Sequence, residues 1–195
     1  MKTSIIIPSL LLLLSGPTVD LFEGNTKHEV RSHRNTAKLR TVPIVDQAKL
    51  TPVAKKLFRG VHSKLSVSDK NKAAAASEFV ISKSDKNLFT FKGEEDAPFH
   101  VDVTITDLND DGVEEILFHW GNSFWSGFTG TSCTLLVKNP KTGNYETNLG
   151  FPGIAEILKS KTNGYRDLLI GGPGFEFPLY KWDGKKYELK GTVKQ

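Results

Sequence analysis

Cysteine is almost absent from this chain of 195 residues, which contains only Cys133. No intramolecular disulfide bond is therefore possible. Cys133 lies between Ser132 and Thr134 in an apolar stretch typical of a strand, and this setting predicts a small buried core residue. A catalytic thiol would need a neighbouring base, and the sequence alone does not place His100 or His119 beside it.

A strong excess of charge of one sign is also missing. The net charge is +4 and the pI is about 9.0, but the lysines are scattered and no aromatic-basic RNA motif occurs. We therefore predict no nucleic-acid partner. The glycine run at 171–174 is not a P-loop, because no Lys-Ser/Thr pair follows it. It is not a dinucleotide-binding loop either, because no helix is predicted after it.

Long apolar runs are scarce, and the clearest one lies at the N-terminus, over Ile5–Leu14. This run follows Lys2 and is too short to span a bilayer as a helix. It predicts a secretory signal peptide over residues 1–20 and no transmembrane span. No A-x-A cleavage motif follows, and no nearby cysteine indicates a lipoprotein anchor. We expect a secreted or periplasmic protein; the alternative is a buried N-terminal strand or helix.

Residues 21–48 are mostly polar and basic, which predicts a flexible linker. Thr51-Pro52 then marks a helix start, because a hydroxyl cap precedes a proline at the first helical position. Ser68-Asp69 predicts the cap of a second helix. The first helix would bury one face, because apolar residues recur every four positions at Val53, Leu57, Val61 and Leu65. We expect a helical pair over about residues 51–78.

From Phe79 onwards the sequence predicts β structure, with turn signals between short apolar stretches. An internal repeat is visible, because Asp111–Leu117 resembles Asn163–Leu169 and a similar predicted hairpin follows each. The repeat units span about residues 98–147 and 154–190. Two units are too few for a closed propeller. The predicted fold class is therefore α+β, mainly antiparallel β. The helical pair precedes two β units that form a compact sheet or sandwich, in one globular domain over residues 49–195.

The most informative segment is the acidic loop, which we define as residues 107–115. Oxygen-bearing side chains occupy alternate positions, a glycine follows, and a carboxylate closes the loop; these residues are Asp107, Asn109, Asp111, Gly112 and Glu115. A hard cation such as Ca²⁺ needs about six to eight oxygens around one point, and alternate side chains of a short loop can supply them. The Val113 carbonyl would be a further ligand. The pattern is not an EF-hand, since Phe118 occupies the position of the last EF-hand glutamate.

The segments on either side of the acidic loop, Phe99–Thr106 and Ile116–Trp120, both predict strands. A D-x-[DN]-x-D-G-x-x-[DE] loop between two strands resembles the calcium loops of FG-GAP/VCBS repeats, found in bacterial surface proteins and integrin-type propellers. The resemblance covers about nine residues. It implies a calcium-binding β module with one structural Ca²⁺, held by Asp107, Asn109, Asp111, Val113 and Glu115.

The second repeat unit predicts no second metal site. Lys159 stands at the first ligand position, and Lys161 and Asn163 stand where the first unit has Asn109 and Asp111. Because an ammonium group does not bind a cation, we expect one Ca²⁺ and not two. The alternative for the first unit is a metal-free turn, since Asp, Asn and Gly are also ordinary turn residues.

Two segments combine glycines with aromatic residues, Trp120–Gly130 and Gly171–Pro178. Each follows the strand after a repeat turn, so we expect both at the same edge of the molecule. Glycines permit close approach of a partner, and exposed rings are costly without a role. We predict a ligand-binding surface formed by Trp120, Trp125, Phe128, Phe175, Glu176 and Phe177. The alternative is that these rings fold back and seal the core.

Together these features favour an exported, non-catalytic, calcium-stabilised β module that binds a glycan or a protein of the cell envelope. One alternative is a lysozyme-type enzyme inhibitor, because Ser126-Gly127-Phe128 resembles the loops with which small exported β proteins block lysozyme. Another is a hydrolase that uses Glu176, since its two phenylalanine neighbours would raise the pKa of the carboxyl group. The sequence sets no oligomeric state.

Overall fold

The computed structural model describes residues 49–172 and 176–194. The predicted signal peptide, the predicted linker and Phe175 lie outside the described residues. The described part contains three α-helices, one 3₁₀ turn and ten β-strands, and every strand pairing is antiparallel. The predicted fold class, mainly antiparallel α+β with a helical pair ahead of the sheets, is therefore confirmed.

The helices and strands follow one another in a simple order along the chain. The helices are α1 (Pro52–Leu57), α2 (Val67–Ala76) and α3 (Ser123–Ser126), and a 3₁₀ turn over Gly127–Thr129 follows α3. The strands are β1 (Phe79–Ile81), β2 (Phe89–Phe91), β3 (Glu94–Thr106), β4 (Glu115–Gly121), β5 (Ser132–Lys138), β6 (Tyr145–Pro152), β7 (Ile154–Thr162), β8 (Tyr165–Gly171), β9 (Glu176–Trp182) and β10 (Tyr187–Lys194).

Helix α1 begins as predicted but ends early. Its cap is Thr51, whose hydroxyl accepts a hydrogen bond from the Ala54 amide at 3.2 Å. The four-residue stripe predicts a helix that continues past Val61, but α1 ends at Leu57. Gly60 adopts a positive φ of 78°, a left-handed conformation that does not continue an α-helix.

The cap of helix α2 lies two residues before the predicted cap. Ser66, and not Ser68, is the cap, because the Ser66 hydroxyl accepts a hydrogen bond from the Asp69 amide at 3.0 Å. Helix α1 buries Ala54 and Leu57 in the core, whereas α2 buries only the small side chains of Ala73 and Ala74.

The first sheet has six strands in the order β1-β2-β3-β4-β5-β6. Strand β4 lies inside this sheet, and Glu115–Phe118 are all buried. One face of β4 packs toward the helices with Ile116 and Phe118, and the other face packs away from them with Leu117. A central strand with both faces covered explains why this apolar run does not alternate with polar residues.

The helix-side core lies between the helices and the first sheet. It combines Leu57 and Phe58 of the α1 region with aromatic and aliphatic side chains of the sheet. These buried sheet residues are Phe79, Phe89, Phe99, Ile116, Phe118, Leu136 and Tyr145.

The second sheet has four strands in the order β10-β9-β8-β7 and packs on the opposite face of the first sheet. The inter-sheet core between them includes Leu117, Leu135, Leu168, Ile170 and Trp182. Hydrogen bonds also join the two sheets and their loops, for example the following two. The Ala155 amide donates to His119 Nε2 at 3.0 Å, and the Arg166 amide donates to the Leu108 carbonyl at 2.9 Å.

The two sequence repeats correspond to two four-stranded meanders, β3–β6 and β7–β10. A tyrosine occupies the same place in each. Tyr145 OH donates to the Glu114 carbonyl at 2.8 Å, and Tyr187 OH donates to the Arg166 carbonyl at 2.5 Å. The first turn of each meander differs, however. The first meander has the acidic loop, whereas the second has the two-residue turn Asn163-Gly164, with φ of 49° and 89°.

Within residues 49–172 and 176–194, no helix is long and apolar enough to cross a membrane.

Candidate functional site

The acidic loop connects β3 to β4, whose residues Thr106 and Glu115 pair directly at its base. Leu108 is fully buried in the inter-sheet core and anchors the loop. Asp110 and Gly112 have positive φ angles of 62° and 85°, which reverse the chain within a few residues. The loop is therefore held at its base and at Leu108, near its start.

The side chains at alternate positions turn into the loop and accept its backbone amides. Asp107 accepts hydrogen bonds from the amides of Asp111 at 3.1 Å and Gly112 at 2.7 Å. Asn109 Oδ1 accepts from the Asp111 amide at 3.2 Å. Asp111 Oδ1 accepts from the Val113 amide at 2.7 Å. The predicted ligand side chains at 107, 109 and 111 thus share one side of the loop.

Glu115 closes the loop from inside the protein. It is only 2% exposed, and its Oε2 accepts a hydrogen bond from the Leu108 amide at 2.8 Å. Burial raises the pKa of Glu115 to about 7, and the negative charges of Asp111 and Asp107 act in the same direction. No ion pair reaches Glu115 from the described residues.

Two other acidic residues of the loop point elsewhere. Asp110 forms an ion pair with Lys161 of the second meander. Glu114 accepts a hydrogen bond from the Lys64 amide at 2.8 Å. Neither belongs to the alternating set, and both are occupied by contacts outside the loop.

The second meander contains the counterpart of Glu115, which is Asp167. Asp167 is also 2% exposed, but it has a cation nearby, because the Lys181 ammonium lies 3.9 Å from Asp167 Oδ2. The Ser160 hydroxyl donates to the same oxygen at 2.7 Å. The buried carboxylate of the second unit is thus compensated by a side chain of the protein itself.

The chemistry of the acidic loop fits a hard cation, because every candidate ligand atom is an oxygen. In the described residues, no three His, Cys, Asp or Glu side chains converge closely enough to form a ready metal site. The loop oxygens are engaged by backbone amides instead. Holding an ion would require the side chains of Asp107, Asp111 and Glu115 to draw together.

Trp120 and Trp125 pack into the helix-side core. Trp120 Nε1 donates to the Thr134 hydroxyl at 2.8 Å, and Trp125 Nε1 donates to the Ala97 carbonyl at 2.7 Å. The Trp125 ring lies edge-on to Phe91, with ring centroids 5.1 Å apart. Both indoles are half-buried and fixed at their polar atoms, so they anchor the segment that follows β4.

That segment, which we call the aromatic loop, spans residues 121–130. Phe128 is completely exposed, and Phe124 is 71% exposed. The two glycine-aromatic segments meet as expected, because Thr129 Cγ2 lies 3.3 Å from the point where a Cβ on Gly172 would stand. Phe177 is half-buried on β9. The exposed rings of the described part are therefore phenylalanines and not tryptophans.

Sequence reasoning missed Phe124. Asn122 caps the short helix α3, and its side-chain oxygen accepts from the amides of Phe124 and Trp125. Consecutive residues of a helix point about 100° apart, so burial of Trp125 turns Phe124 outward. The asparagine before a Ser-Phe-Trp run was the available signal.

The residues of the two alternative functions lie in different settings. The Ser126 hydroxyl is buried and lies 2.8 Å from the Ser132 hydroxyl, whereas Phe128 of the same segment is fully exposed. The Glu176 side chain is 52% exposed, and the Lys194 ammonium lies 3.7 Å from it. Apolar burial, the reason for considering Glu176 as an acid, does not apply to this exposed side chain.

A row of polar residues crosses three strands of the first sheet, with Asp102 opposite His119 and His119 opposite Cys133. The row resembles a thiol-base-acid set, but its bonding is different. The Cys133 thiol is 1% exposed and donates to the Phe151 carbonyl at 3.4 Å. Burial raises the pKa of Cys133 to about 11. The thiol is therefore a core group and not an activated nucleophile.

No family model, curated protein or solved structure matches the chain. The resemblance to FG-GAP/VCBS calcium loops rests on Asp107, Asn109, Asp111, Gly112 and Glu115 alone.

Proposed function

We propose that this chain is an exported, non-catalytic β module that binds one calcium ion in the acidic loop and a protein partner through the aromatic loop. The calcium ion would be structural. It would tie the first turn of one meander to the inter-sheet core, where Leu108 and Glu115 are buried.

One observation supports the proposed calcium site more strongly than the other observations do. Glu115 is buried, Asp107 and Asp111 add negative charge beside it, and no described side chain supplies a cation. The equivalent Asp167 has Lys181. A buried charge needs a partner, because an uncompensated one is strongly destabilising. A bound cation would compensate the negative charge of Glu115, as Lys181 compensates that of Asp167. Its ligands would be Asp107, Asn109, Asp111, the Val113 carbonyl and Glu115.

The experiment is thermal unfolding of the full chain with calcium and with a chelator. A ligand that binds only the folded state stabilises it by about 2.7 kcal/mol at a hundred times its Kd. We expect calcium to raise the melting temperature of the wild type and to have no such effect on Asp107→Ala.

The matched control is Asp110→Ala, in the same loop but outside the alternating set, which should keep the calcium response. The calcium assignment is wrong if the wild type does not respond, or if Asp107→Ala responds as fully as the wild type.

The aromatic loop supports a protein partner in preference to a glycan. Its exposed rings, Phe124 and Phe128, have no hydrogen-bonding group. Such rings match an apolar protein surface better than the hydroxyl groups of a sugar. The tryptophans that would stack on sugars at this edge, Trp120 and Trp125, are packed into the core.

Affinity capture from envelope extracts tests this surface. We expect a partner that the wild type retains and that Phe124→Ser/Phe128→Ser loses. Leu189→Ser is the control, because Leu189 is 56% exposed but lies on β10. Equal capture by the double variant and the wild type would exclude the aromatic loop as the interface.

Export is proposed from the N-terminal sequence, Met1-Lys2 followed by the apolar run Ile5–Leu14. We expect secreted material to begin near residue 20. N-terminal sequencing of the extracellular or periplasmic fraction checks this, and recovery of intact Met1 from a membrane fraction would contradict it.

A further inference from the structure

A groove with a volume of about 800 Å³ lies between two hairpin turns, one from each meander. The β5–β6 turn forms one wall and the β9–β10 turn forms the other. Strand β5 begins beside the aromatic loop and ends at this groove, so the two features lie at opposite ends of the strand. The volume falls within the roughly 300–1,000 Å³ typical of small-ligand sites.

The lining of the groove includes two aromatic rings packed on each other. Tyr165 and Trp182 stack with centroids 4.0 Å apart and an interplanar angle of 17°. Tyr187 meets Trp182 edge-on at 5.3 Å. The indole is therefore covered by neighbouring rings, and it offers the groove little more than an edge.

Hydrogen bonds fix both walls before any ligand arrives. Asn148 of β6 accepts from the Tyr187 amide at 3.0 Å and donates to the Lys185 carbonyl at 3.2 Å, which joins the two meanders. Asp183 accepts from the amides of Lys185 and Lys186, each at 2.7 Å. Such a groove loses little entropy when it binds a ligand.

The charge of the lining is positive. Four lysines and one glutamate line the groove; the lysines are Lys138, Lys141, Lys185 and Lys186. Lys138 pairs with Asp69 at 2.8 Å, and Lys186 lies 3.6 Å from Glu188. Lys141 and Lys185 are exposed, and neither forms an ion pair with the described residues. One uncompensated ammonium group thus stands on each wall.

We infer that this groove binds a short segment of an anionic glycan, with its acidic groups on Lys141 and Lys185. Ammonium groups on opposite walls suit a chain that bears carboxylate, sulfate or phosphate groups at intervals. The covered ring faces disfavour a nucleic acid, because a base gains most of its stacking energy from an open aromatic face. Sugar hydroxyls can instead use the polar walls and the ring edges.

The test is calorimetric titration of the full chain with a tetramer of polygalacturonate, and with a sulfated dextran fragment of similar length. Neutral dextran, a single-stranded DNA oligonucleotide and polyglutamate are the comparison ligands. We expect one or both anionic glycans to bind, with an affinity that falls as salt is added. Losing two charge-assisted contacts through Lys141→Gln/Lys185→Gln should weaken this binding at least about tenfold.

The matched control is Lys92→Gln/Lys159→Gln, which removes the same charge from exposed residues outside the groove. This control should bind the glycan as the wild type does. An equal loss in both double variants would mean diffuse attraction and overturn the site. The inference also fails if neither anionic glycan binds, or if DNA or polyglutamate binds the groove more tightly than both. Phe128→Ser and Asp107→Ala should retain binding, which separates this groove from the proposed partner surface and calcium loop.

Discussion

Glu115 combines burial with two negative neighbours, Asp107 and Asp111. Glutamine at this position keeps an acceptor for the Leu108 amide and removes the charge. At pH 8 without calcium, we expect Glu115→Gln to raise the free energy of unfolding by roughly 1–3 kcal/mol, because an unpaired buried carboxylate is costly. Urea denaturation measures the change.

The same variant should lose the calcium response, which links the two effects to one side chain. Glu114→Gln is the neighbouring control, and it should change the calcium response little because Glu114 turns toward Lys64. A loss of stability for Glu115→Gln in the absence of calcium would contradict the view that this charge lacks a partner.

Trp125 and Phe128 belong to one short loop but have different roles. Trp125 packs against Phe91 and bonds to Ala97, whereas Phe128 is fully exposed. We expect Trp125→Ala to cost about 3 kcal/mol of stability, from lost packing and a lost hydrogen bond. Phe128→Ala should stay within about 0.5 kcal/mol of the wild type. Guanidinium denaturation of both variants checks this, and equal losses would contradict it.

At this scale the sequence identified the unusual residues, and it predicted the direction of the acidic-loop side chains but not of the aromatic rings. The spacing of Asp107, Asn109 and Asp111 predicted side chains on one side of a loop, and the hydrogen bonds place them there. The rings of the aromatic loop were harder to assign. Their burial depends on contacts with Phe91 and Ala97, about 30 residues away in the chain, and periodicity does not report such contacts.

Among the elements, the turn between β4 and α3 is tightly constrained. Gly121 has a φ of 109°, and a Cβ there would stand 2.5 Å from the Ser126 hydroxyl. We expect Gly121→Ala to cost roughly 1–3 kcal/mol and to displace the aromatic loop, with loss of partner capture. Gly150→Ala is the control, because nothing lies within 4 Å of its Cβ position and its φ is ordinary. Thermal unfolding compares the two, and equal melting temperatures would contradict the expectation.

At the scale of helices and strands, local sequence patterns were sufficient to predict two features. The cap at Thr51 and the repeat of two β units follow from local residue types, and both are present. The four-residue stripe over Val53–Leu65 was misleading, because Leu65 packs on the same core from a non-helical segment. The spacing of apolar residues indicates which residues are buried, but it does not always indicate the secondary structure of the segment that contains them.

The first turns of the two repeat units differ in structure more than their sequences indicated. Lys159 and Lys161 lie within strand β7, and only Asn163-Gly164 form the turn. Positive φ at both residues suits a tight hairpin turn that matches the twist of its strands. A loop and a two-residue turn at equivalent places can be told apart only when the strand register is known.

Across the whole molecule, His119 links the two sheets. Its Nε2 accepts the Ala155 amide, which requires an unprotonated nitrogen. Burial lowers the pKa of His119 below its ordinary value of 6.5, although the Asp102 carboxylate opposes this. Below about pH 6.5 the unfolded chain therefore binds the proton before the folded one does, and stability falls as the pH decreases through this range.

We expect His119→Gln to remove this part of the acid sensitivity, because glutamine offers an oxygen to Ala155 and does not titrate. His62→Gln is the control, since His62 is exposed. Urea denaturation between pH 7.5 and 5, with the pH range set by the ordinary histidine pKa, compares the three proteins. The linkage is wrong if the wild type and His119→Gln lose stability equally.

Every strand pairing in the described part of the chain joins strands that are neighbours in sequence. Such pairings close short loops at a small entropic cost, and local contacts favour rapid folding. The docking of the helices and of the second sheet on the first sheet brings distant residues together instead, as at Lys138 and Asp69 or at His119 and Ala155. The hairpins can therefore form one after another as the chain is synthesised, while sheet docking waits for the last strands. The rate of docking, and not of strand pairing, would then limit how soon the newly made protein resists proteolysis.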